Sequence, residues 1–111
     1  MTNEQLNTAL YKKMFAEQEK YRNWLLSQSP EKILNHSYEY NIREDILLSF
    51  ENNDLSDAQA RALLRSAKPL ADLFKEYDNR VTEHMDNIWD TVESHADELL
   101  NKKREHIRDE R

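Results

Sequence analysis

Five acidic residues in the last third of the chain have a spacing that could support chemistry. They follow one another at intervals of 3, 4, 3 and 4 residues: Glu83, Asp86, Asp90, Glu93 and Asp97. Residues three and four apart share one face of an α-helix, so a helix here would present these carboxylates as a stripe about 21 Å long. We call this set the acidic stripe. Such a row can hold a metal ion or contact a positively charged partner.

Magnesium-dependent catalysis is the first function that the acidic stripe could have. Two carboxylate pairs resemble those of helical nucleotide pyrophosphohydrolases: Glu83 with Asp86, and Asp90 with Glu93. Such sites are built from two or more helices, whereas both pairs here share one stripe and the sequence has no matching second set. The chain also lacks HExxH, and no Glu stands three residues before a His. We therefore predict no enzyme activity, no metal and no cofactor.

Two residue types that the chain lacks exclude further kinds of active site. There is no Cys, hence no disulfide, thiolate nucleophile or thiolate metal site. There is also no Gly, the residue that supplies the positive-φ positions of phosphate-binding loops and nucleophile elbows. Rossmann, Walker and α/β-hydrolase sites are therefore excluded.

Three histidines recur every eleven residues: His84, His95 and His106. At 1.5 Å per residue, neighbouring members lie about 16 Å apart on a helix, which is too far for one shared metal ion. We interpret them as histidines at the edge of a helix face, although an oligomeric helix could stack them into layers.

The acidic stripe then has two interpretations. Between Glu76 and Glu98 the sequence has eight acidic residues and one basic residue, Arg80, and like charges at this spacing cost roughly 0.2–0.5 kcal/mol per pair. The stripe is either a solvated face or a docking surface for a groove rich in Arg and Lys, in place of a phosphate backbone. Trp89 is predicted to be an exposed anchor for a partner, with core packing as the alternative.

The elements that must position these residues are helical. Helix-favouring residues dominate, so we predict an all-α fold, a small bundle of four to five helices with a long C-terminal helix. A capping box of Thr2 and Gln5 begins the first helix, which should end near Ser27. Pro30 should open a second helix, and we expect that helix to break near Tyr40 within the polar stretch NHSYEYN.

Two further helix starts follow. Ser56 and Gln59 form a second capping box, for a short helix that ends before Lys68, and Pro69 opens the last helix. The apolar residues of this last helix step by 3 and 4 in an eleven-residue repeat, which predicts little supercoiling or a weak right-handed supercoil. We call them the apolar row: Phe74, Tyr77, Val81, Met85, Ile88, Val92, Ala96 and Leu99.

Chain length and net charge limit the number of domains and the class of partner. We predict one domain over residues 1–100 and a charged helical extension or frayed tail over 101–111. A net charge of −6 argues against direct binding of nucleic acid and favours a protein partner with a basic surface. No segment resembles a membrane span or a signal peptide, so we expect a cytoplasmic protein.

The stretch from YKKMFAEQEK to KPLADLF resembles an uncharacterised domain family found on mobile elements of Firmicutes bacteria. The likeness covers about residues 11–100 and is clearest in EYNIREDIL, in the NDLS turn, in the ALL helix and in KPLADLF. Such families include inhibitors of type II CRISPR systems, so the resemblance implies an anti-CRISPR role. It transfers no functional residue.

Two functional hypotheses result. In the first, the chain is a non-catalytic inhibitor that binds a type II CRISPR effector nuclease and acts as a DNA mimic, with its acidic stripe in a groove for nucleic acid. In the second, it is a structural or regulatory protein of a mobile element. It then assembles as a homodimer through four residues of its last helix: Met85, Ile88, Trp89 and Val92.

Overall fold

The computed structural model describes the backbone of residues 1–80 and 82–109, and the side chains outside 81–84 and 103–111. The described residues form five helices and no strand: α1 (Asn3–Leu26), α2 (Pro30–Ser49), α3 (Asp57–Leu64), α4 (Pro69–Arg80) and α5 (Thr82–Asp109). The predicted all-α class is confirmed. None of these helices is long and apolar enough to cross a membrane.

The chain divides into two compact units, unit 1 over Met1–Glu76 and unit 2 over Tyr77–Arg111. The predicted single domain over residues 1–100 and the tail over 101–111 stay predictions. Position 81, where the predicted last helix would pass from α4 to α5, lies outside the described residues.

Helices of unit 1 begin at the residues that their capping patterns predict. The Thr2 hydroxyl accepts from the backbone N–H of Gln5, and the Gln5 side chain accepts from the Thr2 N–H in return. Ser56 and Gln59 repeat this reciprocal pair at α3. Each box satisfies two backbone donors that a helix start would otherwise leave unpaired.

The predicted break near Tyr40 is wrong, because α2 is continuous from Pro30 to Ser49. Neighbouring α1 supports the polar stretch from the side. The Gln18 side-chain amide donates to the Tyr40 carbonyl at 3.2 Å and to the Glu44 carboxylate at 3.0 Å. These two hydrogen bonds tie α1 to the middle of α2, at the stretch where the break was predicted.

The core of unit 1 lies where α1 packs against α2 and α3. Its centre is a cluster of four buried side chains, Leu10, Met14, Leu47 and Leu70. Partly buried apolar residues pack around it: Tyr11, Ile46, Phe50, Leu55, Leu63, Leu64 and Leu73. Leu70 brings the start of α4 into the same core.

Two side chains of α1, one turn apart, hold the turn between α3 and α4. The Lys13 ammonium donates to the carbonyls of Leu64, at 2.8 Å, and Ser66, at the C-terminal end of α3. Both Glu17 carboxylate oxygens accept backbone N–H groups at the start of α4, from Leu70 and Ala71 at 2.8 Å each. Each side chain therefore carries a charge opposite in sign to the partial charge of the helix end that it binds, which is a stabilising arrangement.

Glu17 also links α4 to α2 through a buried guanidinium. Arg43 is only 7% exposed, and its nitrogens lie 2.6 and 2.9 Å from a Glu39 oxygen and 3.8 Å from Glu17. The Tyr21 ring lies against the guanidinium, with the Arg43 Cζ atom 4.1 Å from its centroid. A charge this deeply buried is stable only with partners of this kind.

Loss of the Glu17 carboxylate should destabilise unit 1. Glu17→Ala would leave two N–H groups of α4 without acceptors and remove one anion from Arg43, so we expect the free energy of unfolding to fall by about 2–3 kcal/mol. Urea denaturation followed by circular dichroism measures this. Glu19→Ala, at an exposed acid of the same helix, is the control and should change it by less than about 0.5 kcal/mol.

The Tyr21 phenol should ionise late in an alkaline titration. Burial raises its pKa above the usual 10.0, Glu39 raises it further, and Arg43 opposes them. The folded state thus holds this proton more tightly than the unfolded state, so its contribution to stability is complete below pH 10 and is lost as the pH rises through the folded-state pKa. Phenolate absorbance should show a late component that Tyr21→Phe removes and Tyr77→Phe retains.

Candidate functional site

Helix α5 carries the acidic stripe in the described part of unit 2. Asp86, Asp90, Glu93 and Asp97 are all exposed and extend over about 16 Å of the helix. The side chain of Glu83, the fifth predicted member, lies outside the described residues. Among the described residues, no base forms an ion pair with these four acids.

The apolar row runs along a different side of α5. At 100° per residue, its centre is about 140° around the helix from the centre of the acidic stripe. Its large members in the described part of α5 are exposed: Met85 by 61%, Ile88 by 45%, Val92 by 49% and Leu99 by 54%. The Val81 member lies outside the described residues.

Trp89 lies between the apolar row and the acidic stripe. Its side chain is 60% exposed, whereas the other tryptophan, Trp24, is 41% exposed and makes an edge contact with His36. A large exposed indole beside carboxylates can bury apolar area while its N–H donates to a partner. The role of Trp89 as an anchor stays a prediction.

Helix α5 is therefore polar and apolar on different sides, with every described side chain from 85 to 102 exposed. An isolated helix is only marginally stable in water, and most helices gain stability by burying their apolar side. The like charges of the acidic stripe weaken the helix further. Both properties would be offset by a partner that contacts α5.

The described residues offer little for chemistry. No group of three or more His, Asp and Glu side chains in this part of the chain is arranged to hold a metal ion. Of the three spaced histidines, His95 is exposed, and the side chains of His84 and His106 lie outside the described residues.

Two carboxylates of unit 1, those of Glu17 and Glu39, bind the same guanidinium and stabilise the fold. Glu17 and Glu39 both lie at Arg43, but Glu17 accepts two backbone N–H groups of α4 and Glu39 accepts two guanidinium hydrogens. A general base needs an accessible lone pair facing a substrate. We therefore assign this pair a structural role.

Unit 1 has one shallow apolar groove worth comparing with α5, between α1 and α2. The residues that line it include no Asp, Glu or His, and they are Arg22, Leu25, Leu26, Ile33, Ser37, Tyr40 and Asn41. Such a groove could accept an apolar side chain of a partner.

The buried polar residues of unit 1 are what sequence reasoning missed. Gln18 is 4% exposed and occupies the next position after Leu10 and Met14 at a spacing of four. A polar residue within an apolar row is a usable signal, because burial there requires a hydrogen-bonding partner. Arg43 gave a weaker signal, because a pair with Glu39 four residues earlier is also typical of an exposed helix face, and its second partner, Glu17, lies on another helix.

A family model described as "Protein of unknown function (DUF3848)" matches residues 6–100. The match includes the whole of the stretch, about residues 11–100, that resembles an uncharacterised family. No curated protein and no solved structure matches the chain.

Removal of one charge from the acidic stripe should stabilise α5. Asp90 stands four residues after Asp86 and three before Glu93, so Asp90→Asn removes two unfavourable pairs, worth about 0.4–1 kcal/mol together. Hydrogen exchange of the α5 amides should slow accordingly. Asp54→Asn, at an exposed acid in the turn before α3, should leave these amides unchanged; equal slowing in both variants would contradict charge repulsion within α5.

Proposed function

The chain belongs to the family described as proteins of unknown function (DUF3848), and we propose that it is a non-catalytic inhibitor that binds another protein. The partner is a nuclease of the type II CRISPR class, in the cytoplasm of a bacterium that carries the mobile element. The inhibitor enters a groove for nucleic acid with the acidic stripe of α5. The observation that carries the proposal is the row of four exposed carboxylates on α5, with which no base among the described residues forms an ion pair.

The charge density of the stripe supports mimicry of a nucleic-acid strand. Its carboxylates follow one another every 4.5–6 Å along the helix axis, by about 1.5 Å per residue. A DNA strand carries one phosphate charge per about 3.4 Å. The stripe therefore presents about two-thirds of the charge density of a single strand.

The chemistry of the proposed partner matches this surface. Effector nucleases of this class hold the guide–target duplex in a positively charged channel and read a short duplex motif with arginines. An acidic helix that occupies such a site competes with DNA through the same basic side chains. Trp89, next to Asp90, would add apolar contact area at the edge of the stripe.

Inhibition by this route requires binding and no chemical step. The surface that the described residues present is suited to that task, since it combines charge with an exposed indole and lacks a carboxylate cluster directed at one point. The acidic side chains would steer association and make it sensitive to salt.

Charge reversal on α5 tests the proposal. Asp86→Lys, Asp90→Lys and Asp97→Lys together should raise the inhibitor concentration needed to block DNA cleavage at least 100-fold, because three attractive contacts become repulsive. The wild-type inhibitor should also bind the nuclease more weakly as salt is increased, and the triple variant should lose most of this dependence.

The control carries the same change in net charge on unit 1. Glu19→Lys, Asp45→Lys and Asp54→Lys replace three exposed acids outside α5 and should inhibit like the wild type. Full inhibition by the α5 triple variant, with unchanged salt sensitivity, would refute the proposal. Equal loss in both triple variants would assign the effect to net charge instead of the stripe.

A further inference from the structure

We draw no further inference here: the strongest candidate, the groove between α1 and the segment joining α2 to α3, where Glu4, Glu51 and Asp54 lie beside the rings of Tyr11 and Phe50, is a cluster of acidic residues for which the described part of the chain shows no second feature that identifies a ligand.

Discussion

The Glu17 carboxylate is the contact on which unit 1 most depends, because it joins three helices, α1, α2 and α4. The side chain belongs to α1. It accepts hydrogen bonds from the first free N–H groups of α4 at 2.8 Å, and it lies 3.8 Å from the buried guanidinium of Arg43 on α2. Lys13, one turn earlier, binds the last carbonyls of α3. One face of α1 thus satisfies the backbone ends of two other helices and places Leu70 in the core.

This use of side chains explains how a chain without Gly can turn sharply. No described residue has a positive φ, and the C-cap residues Ser27, Phe50 and Arg65 all keep right-handed helical angles. Turns are closed instead by hydroxyl and amide groups: Leu55, before α3, exchanges two hydrogen bonds with the Asn7 side-chain amide. Polar residues of α1 supply partners that a glycine turn would find within its own backbone.

Helix α5 differs from unit 1 in how its charged and apolar side chains are placed. Unit 1 neutralises its buried charge and buries a central apolar cluster, whereas the described part of α5 leaves four carboxylates without a basic partner and its apolar row exposed. Both conditions cost free energy in an isolated helix. The acids suit the basic groove of the proposed partner.

The sequence alone determined the helical class, the capped starts of α1, α2 and α3, the start of α4 at Pro69, and the placing of acids and apolar residues on different sides of the last helix. These follow from local rules, because a cap or a helical repeat involves residues within a few positions of each other. Tertiary structure decided that α2 stays continuous through Tyr40 and that Gln18 and Arg43 are buried. Those outcomes depend on partners 22 to 26 residues away along the chain, such as Tyr40 for Gln18 and Glu17 for Arg43, which no local pattern specifies.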